Sequence, residues 1–363
     1  MKHVLILEPY YGGSHKHFLE GLQQHVSARY VLFTLPARKW KMRMQLSAPW
    51  FIEQIKALSA EQRWFDTVLC SSFVDVAVLR ALLLRVQGWN HDARICIYFH
   101  ENQMTYPQRH GQCDGHQFAS INFHSALVAD AIAFNSSYNA ETFLSGCRKY
   151  LKSASSEFDL PSTLGDLQKK SRILFPGIDF QEIDKSRRQT PVGVPVIVWN
   201  HRWEHDKNPE GFYQVLTELK RRRIDFRLIV AGKSFSTVPD SFIRIQQQFA
   251  ERILHFGFVS SYRDYIALLC QGDIVVSTAL HEFYGIAVIE AVRAGCIPLL
   301  PDRLSYPELF DNRYLYSEDN FVDMFERALL DNCRHDVDEA RRLTERFSWH
   351  QLAGSYSEWL FFD

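Results

Sequence analysis

The chain has 363 residues, with 41 Lys and Arg against 42 Asp and Glu and a formal net charge of -1 at pH 7. At about 150 residues per domain this length suggests two domains, each able to bury a sizeable core. Hydrophobic residues make up 46% and charged residues 23%, which excludes disordered and fibrous classes. The near-neutral balance excludes a uniformly basic nucleic-acid binder and leaves room for a local basic patch.

In chain order, apolar runs at 3–8, 30–35, 66–71, 94–99 and 130–135 read as strands. A glycine turn at Gly12 and Gly13 leads from the first of them into a helical stretch over about 15–26. Strand, turn, helix, strand is the pattern of a parallel α/β sheet covered on both faces. Residues 151–172 are polar and Ser-rich, and 172–175 reads as one more strand, ended by Pro176 and Gly177. Residues 180–194 are charged and punctuated by Pro191 and Gly193, the composition of a linker. A second α/β series runs through 196–199, 226–231, 253–256, 273–277 and 297–300. Residues 348–363 carry Trp349, Tyr356 and Trp359 and read as a final amphipathic helix that can cross back to the first domain.

The expected organisation is a domain over 1–179, a linker over 180–194, a domain over 195–347 and a C-terminal helix. Two doubly wound, Rossmann-like domains put their ligand in the cleft between them, facing the carboxyl ends of the strands. Chemistry is therefore expected in the loops after strands.

The seven cysteines, at 70, 96, 113, 147, 270, 296 and 333, include no CxxC pair. Cys70, Cys96 and Cys270 sit in apolar runs, where reduced, buried thiols are expected. No zinc spacing occurs. The N-terminal apolar run is too short for a signal peptide, and no stretch approaches the ~20 apolar residues of a membrane span. The expectation is a soluble cytoplasmic protein without stable membrane association.

Four constellations carry unusual chemistry. After the first strand, Glu8 to His15 contains Gly12 and Gly13, which let the backbone approach an anion closely before a helix N-terminus; a plain tight turn explains them equally well. After the fourth, His100, Glu101, Asn102 and Gln103 stand in a row at the cleft end of a buried strand, a set hard to explain as packing. After the first strand of the second half, Arg202 and Lys207 can converge on a phosphate, Arg as a planar fork and Lys as a mobile point charge. Glu282 and Glu290, eight residues apart, bracket a helix start near Gly285. The amides of Gly285, Ile286 and Ala287 would form a fixed anion site, and Glu290 could accept hydrogen bonds from vicinal hydroxyls. Separately, Arg38, Lys39, Lys41 and Arg43 form a dense positive run interleaved with Trp40. Cations track phosphates and an aromatic ring can stack an unpaired base; a solvated charged face is the alternative. Further basic clusters lie at 169–172, 185–188 and 220–223.

The Glu282/Glu290 pair with Arg202 and Lys207 upstream resembles the retaining GT-B glycosyltransferases of family 4. Within that group, EPYYGGSHKHFLEGL, TLPARKWKMRMQLSAPWF, YFHENQMTYP, WNHRWEHDKNPE and STALHEFYGIAVIEAVRAGCIPLLPDRLSYPEL resemble the tRNA-queuosine mannosyltransferases. The resemblance covers most of the chain. It implies a GT-B fold and a metal-independent hexosyltransferase that needs no cofactor and moves mannose from GDP-mannose to the queuosine base of tRNA. Arg202 and Lys207 would hold the diphosphate, assisted by the amides of Gly285, Ile286 and Ala287. Glu290 would bind the donor ribose and Glu282 the transferred sugar, with His100 approaching that sugar. Gly12 and Gly13 would pass close to the donor, Phe258 and Val259 would seat the nucleobase, and Arg38, Lys39, Trp40, Lys41 and Arg43 would receive the tRNA.

The sequence departs from the commonest family 4 pattern at Asn200-His201, where many members have Gly before the Arg, and at Phe283-Tyr284, where many have Gly-Phe. A lipid or small-sugar acceptor, an isomerase on the same scaffold, and a non-catalytic RNA-binding protein are the competing readings. Pure RNA binding would not need Arg202, Lys207, Glu282 and Glu290 together.

Overall fold

In a computed structural model of the chain, which describes residues 1–105, 115–158, 160–187, 193–234, 238–331 and 334–362, the apolar runs form two six-stranded sheets. The chain divides into two units, Met1–Ile178 with Trp349–Asp363, and Asp179–Ser348.

The first unit holds β1 (His3–Tyr11), β2 (Arg29–Pro36), β3 (Thr67–Ser71), β4 (Arg94–Phe99), β5 (Ala131–Phe134) and β6 (Ser171–Ile173). Their spatial order is β2-β1-β3-β4-β5-β6, and every pairing is parallel. Alternate residues of a strand face opposite sides, so the runs feed two cores. On one side Leu5, Leu7, Val68, Cys70, Ile95 and Ile97 pack with Phe51, Ile55 and Leu79 from helices Trp40–Ala57 and Val76–Leu83. On the other, Val4, Ile6, Leu69, Cys96 and Tyr98 meet Phe18 and Leu22 of helix Gly13–His25 and Trp349, Tyr356 and Trp359 of helix Trp349–Phe361. The final helix thus returns to the first unit, as its aromatic pattern suggests. The Thr67 hydroxyl donates to the Leu360 carbonyl at 3.0 Å, and the Tyr356 hydroxyl to the Phe175 carbonyl at 2.9 Å.

The second unit holds β7 (Val196–Trp199), β8 (Arg227–Ala231), β9 (Ile253–Gly257), β10 (Ile274–Val276), β11 (Ile297–Pro301) and β12 (Leu315–Tyr316). The order is β12-β11-β10-β7-β8-β9, again all parallel. The two-residue β12 has no run in the sequence to announce it. It exists because Leu315 and Tyr316 pair with Leu300 and Pro301, and the Tyr316 hydroxyl donates to the Ser277 carbonyl at 2.8 Å.

One expectation needs correction. The stretch 180–194 is not a plain linker: its first part is helix Gln181–Ser186, and Asp184 grips Arg293 through two bonds of 2.7 Å. A bidentate carboxylate–guanidinium contact fixes geometry as well as charge. Residues 188–192 lie outside the described residues. The polar stretch 151–172 contains the end of helix Ser137–Ala154 and helix Pro161–Lys169, which buries Leu164 and Leu167.

The described cysteines Cys70, Cys96, Cys147, Cys270 and Cys296 are buried free thiols; burial pushes Cys147 and Cys296 up to about 12. Cys113 and Cys333 lie outside the described residues. No helix among the described residues is long and apolar enough to cross a membrane.

Each sheet reverses its strand order once, between β1 and β3 and between β7 and β10. Loops leaving the carboxyl ends of strands diverge at such a point and leave a crevice. The first crevice is bordered by residues 12–15 and 72–75, the second by residues 200–208 and 277–285.

Candidate active site

In the second unit the four residues of β7 are all buried, so the first polar groups emerge where the strand ends, at Asn200, His201 and Arg202. Lys207 follows in the single turn His205–Lys207 and is only 5% exposed. Its Nζ donates to the His281 carbonyl at 2.6 Å and to Glu282 Oε2 at 3.2 Å, and lies 3.2 Å from Asp206 Oδ2. The two loops are also joined through backbone. The Leu280 and His281 amides donate to the Asp206 carbonyl at 2.8 and 3.2 Å. The Thr278 hydroxyl reaches the carbonyls of Lys207 and Asn208 at 3.0 and 2.9 Å.

Burial opposes ionisation of Glu282, but the Lys207 ammonium beside it outweighs that and holds the carboxyl down to about 2. Burial, with the charge of Lys207, lowers His201 and His281 to about 4, so both imidazoles are neutral near pH 7. Arg202 differs from Lys207: its side chain is 51% exposed and pairs with Glu204 at 3.3 Å. One cation is therefore built into the floor of the loops and the other reaches into solvent.

Glu290 is the fifth residue of helix Ile286–Arg293. Gly285 precedes the helix with φ at 118°, and a Cβ there would come within 3.2 Å of the Tyr306 ring; left-handed backbone and close packing both require glycine. The Val288 and Ile289 amides donate back to the Gly285 carbonyl. The amides of Gly285, Ile286 and Ala287 fall at the positive end of the helix, outside its ladder. The Tyr262 hydroxyl donates to Glu290 Oε1 at 2.9 Å and the Tyr265 hydroxyl to Oε2 at 3.2 Å. Asn200 Nδ2 donates to the Tyr265 hydroxyl at 3.0 Å and to the Ala287 carbonyl at 2.8 Å, tying the end of β7 to the start of the Glu290 helix. Burial raises Glu290 to about 7, against the lowering effect of the two tyrosine bonds. Phe258 is 63% exposed and Val259 half-buried, just past the edge strand β9.

The arrangement presents a half-exposed guanidinium and a helix amino end, both able to receive an anion, on loops that a buried ammonium ties together. Beside them stand an ionised carboxylate and a carboxyl balanced near neutrality, both able to accept hydrogen bonds from hydroxyls.

In the first unit, Glu8 is 2% exposed. Its Oε1 accepts from the Tyr10 amide at 2.7 Å and the Ser71 hydroxyl at 3.2 Å, and its Oε2 faces His15 Nδ1 at 3.0 Å. The His15 ring stacks on Phe73 and lies 4.0 Å from the His100 ring. Burial and the neighbouring His15 charge hold His100 well below the ordinary imidazole value. Of the polar row after β4, Asn102 is a brace and not an open site residue. It is fully buried, donates to Asn139 Oδ1 at 2.8 Å and accepts from the Met104 amide at 3.0 Å.

A Cβ on Gly12 would meet the Ala37 Cβ at 2.7 Å, so Gly12 lets the start of the basic run lie against the loop after β1. Gly13 adopts φ 52°. Arg38 and Lys39 are exposed and form no ion pair among the described residues. The Trp40 ring packs on Phe73 and Phe118, and the Lys41 ammonium lies over Trp40 at 5.9 Å; Arg43 is half-buried. Trp40 therefore anchors the run, in place of the bare stacking face expected from sequence.

Several members of the other basic clusters are engaged by groups of the chain itself. Arg221 and Arg222 pair with Glu218 at 2.7 and 2.9 Å. Lys170 donates to the carbonyls of Leu127 and Ala129, Lys185 pairs with Glu182, and Arg187 caps the carbonyls of His335 and Asp336.

Residues 3–178 match the tRNA-queuosine alpha-mannosyltransferase N-terminal family, and residues 180–346 match glycosyl transferases group 1. The tRNA-queuosine alpha-mannosyltransferase of Drosophila melanogaster is 34% identical over 345 residues, covering 92% of this chain and 87% of that protein. The chain belongs to the tRNA-queuosine alpha-mannosyltransferase family.

The likeness of this mannosyltransferase-family chain extends further at lower identity. A GDP-mannose:cellobiosyl-diphosphopolyprenol alpha-mannosyltransferase of Xanthomonas oryzae pv. oryzae is 25% identical over 198 residues, about half of each chain (51% and 51%). Among solved structures, a sucrose-phosphate synthase from Thermosynechococcus elongatus superposes with a TM-score of 0.70 at 13% identity, covering 99% of this chain and 98% of that one. The lipopolysaccharide outer core galactosyltransferase WaaB does so with a TM-score of 0.65 at 13% identity, covering 99% of each. These structures share the two-sheet GT-B fold.

Within this family's fold, the sequence-selected residues Arg202, Lys207, Glu282, Gly285, Ile286, Ala287 and Glu290 lie on the loops that leave the adjacent strands β7 and β10 and on the helix that follows β10. Glu8, His15, Tyr262 and Tyr265 were not among them. The two tyrosines stand three residues apart on helix Tyr262–Leu269, a spacing that marks a shared face but gives no sign of which carboxylate it meets.

Proposed function

We propose that this protein transfers mannose from GDP-mannose to the queuosine of tRNA with retention of configuration. Family membership supports the transfer and the acceptor. One observation carries the donor reading: Lys207 bonds Glu282 and Asn200 bonds the Ala287 carbonyl, so the loop carrying Arg202 and Lys207 is joined to the loop and helix carrying Glu282 and Glu290. In this reading Arg202 and the amides of Gly285 to Ala287 hold the diphosphate, and Lys207 supplies a fixed positive charge as the leaving group becomes more negative. Glu282 accepts from a hydroxyl of the transferred mannose, Glu290 accepts from the ribose diol, and Phe258 and Val259 lie along the nucleobase.

An acceptor hydroxyl oxygen attacks the anomeric carbon from the face that the diphosphate leaves. The carbon–oxygen bond to the diphosphate breaks, and the hydroxyl proton passes to a diphosphate oxygen. No cofactor or metal enters these steps.

The test is incubation with GDP-mannose and queuosine-containing tRNA, followed by mass analysis of the digested nucleosides. A hexose increment on queuosine is expected. Transfer only to a polyprenol-linked acceptor would replace this reading with the lipid one.

Two results should accompany it. A ribose diol donates to the ionised form of Glu290, so the bound state holds fewer protons and affinity rises with pH. With Glu290 near 7, GDP binding by calorimetry should strengthen by about tenfold from pH 6 to pH 8. Glu290→Gln should retain only the part due to titration of the terminal phosphate.

The tRNA is placed on Arg38, Lys39, Lys41 and Arg43. The double variant Arg38→Ala with Lys39→Ala should bind tRNA about tenfold more weakly at 0.1 M salt and lower the salt slope by about 1.5 to 2. Its GDP affinity and melting temperature should not change, because both side chains are exposed.

A further inference from the structure

Glu290 is 8% exposed, and each of its oxygens already accepts one tyrosine hydroxyl, Tyr262 at 2.9 Å and Tyr265 at 3.2 Å. An ionised carboxylate has about four acceptor positions, two on each oxygen. The tyrosines take one per oxygen and leave one per oxygen. That remainder fits a pair of adjacent hydroxyls, which bring two donors side by side.

The tyrosines are themselves held. Helix Tyr262–Leu269 begins at a capped turn in which Ser261 accepts from the Asp264 amide, and the spacing of three residues turns both rings toward one side. Behind Tyr265, Asn200 donates to its hydroxyl at 3.0 Å, so that hydroxyl accepts from Asn200 and is oriented to donate to Glu290. The same Asn200 amide holds the Ala287 carbonyl at 2.8 Å, one turn before Glu290. At the far end of the helix, Asp184 fixes Arg293. The carboxylate thus sits at the end of a directed chain, Asn200 to Tyr265 to Glu290, with Tyr262 fixing its second oxygen. A carboxylate on an otherwise mobile side chain would lose orientation each time it exchanged partners; this one is presented in a single orientation before a ligand arrives.

We propose that Tyr262 and Tyr265, backed by Asn200, are positioning residues that orient Glu290 to receive a vicinal diol, and so make the second unit select a ribonucleoside diphosphate over its 2′-deoxy counterpart. The inference rests on the reading above that Glu290 faces the donor ribose, and it adds the residues that create the preference.

The test compares GDP and 2′-deoxy-GDP by calorimetry on the full-length chain. The wild type should prefer GDP by about tenfold, the scale of one hydrogen bond to a charged group. Tyr265→Phe and Tyr262→Phe keep the rings and remove the hydroxyls. Each should reduce the preference at least threefold, with 2′-deoxy-GDP affinity within about twofold of the wild type. In turnover assays the change should appear in KM for the donor and not in kcat. Tyr262 is 40% exposed, so its variant reports on the idea even if Tyr265→Phe folds poorly. An unchanged preference in Tyr262→Phe, with only a lower melting temperature, would show that the tyrosines merely satisfy a buried carboxylate and would overturn the inference. So would a wild type that binds both nucleotides equally. A wild type that binds neither GDP nor UDP would instead overturn the donor reading beneath it.

Discussion

Arg202→Ala is expected to lose turnover by about 10²–10³-fold and to melt within a degree or so of the wild type, whereas Lys207→Ala is expected to lose both activity and stability. From sequence the two cations look equivalent, each a candidate for the diphosphate. The structure separates them. Arg202 is half exposed and pairs with Glu204 at 3.3 Å, and an exposed pair contributes about 0–1 kcal/mol. Its loss falls on the charge that develops in the transition state, where removing one fixed donor typically costs about 10²–10³ in rate. Lys207 is buried, and its ammonium holds Glu282, Asp206 and the His281 carbonyl together. Removing it leaves Glu282 without its cation, and breaking a buried pair from one side costs about 3–5 kcal/mol. Adding Glu282→Gln to Lys207→Ala should restore part of the melting temperature, because the stranded charge is gone, and none of the turnover. Steady-state kinetics and thermal melts on the three variants check this. A Lys207→Ala protein with wild-type stability would show that the loop pair 200–208 and 277–285 is held by its backbone bonds alone.

Trp349→Ala is expected to destabilise the protein by about 3–5 kcal/mol, as large-to-small changes at a buried indole do. Trp349 is 2% exposed and packs with Phe18, His25 and Tyr356. Its seat is cut by glycine: a Cβ on Gly21 or Gly177 would overlap the indole ring. Gly21→Ala should therefore loosen the final helix nearly as much, although alanine is the better helix former by about 1 kcal/mol. Denaturant unfolding measures the loss, and proteolysis near residue 348 locates it. Resistance to proteolysis equal to that of the wild type would mean that Tyr356, Trp359 and the Thr67–Leu360 bond hold the helix without Trp349.

Most of the strands stand out as apolar runs, because parallel strands covered on both faces must be apolar along their whole length, although the edge strand β6 is exposed at Arg172 and Ile173 and begins before the run expected at 172–175. β12 does not, since two residues paired at an edge need no run. The site was legible where local rules act: polar residues directly after buried strands, a glycine before a helix, and cations spaced five residues apart on one loop. Partnership was not legible. Trp40 looked like a stacking platform and turned out to be packed against Phe73 and Phe118. Asn102 looked like an active-site amide and turned out to brace Asn139. The cluster 220–223 read as one of several basic clusters, yet Arg221 pairs with Glu218 and Arg222 with Glu218, Asp323 and Glu326. The contacts of Trp40 and Asn102 and the pairs of Arg222 with Asp323 and Glu326 join residues distant in the chain, which spacing does not encode; the pairs with Glu218, three and four residues apart on one helix, it does.

The order of the residues by itself determined the two α/β series, their loops and the residue types that an anionic, hydroxyl-rich ligand requires, because burial of apolar strands and the dihedral limits of glycine act over short stretches. Only the tertiary structure decided that Lys207 is a buried keystone while Arg202 is open, that Tyr262 and Tyr265 support Glu290, and that Glu8 and His15 stand behind His100. Those outcomes are set by which charges and hydrogen-bonding groups share a region of low dielectric, and the fold alone brings them within reach of one another.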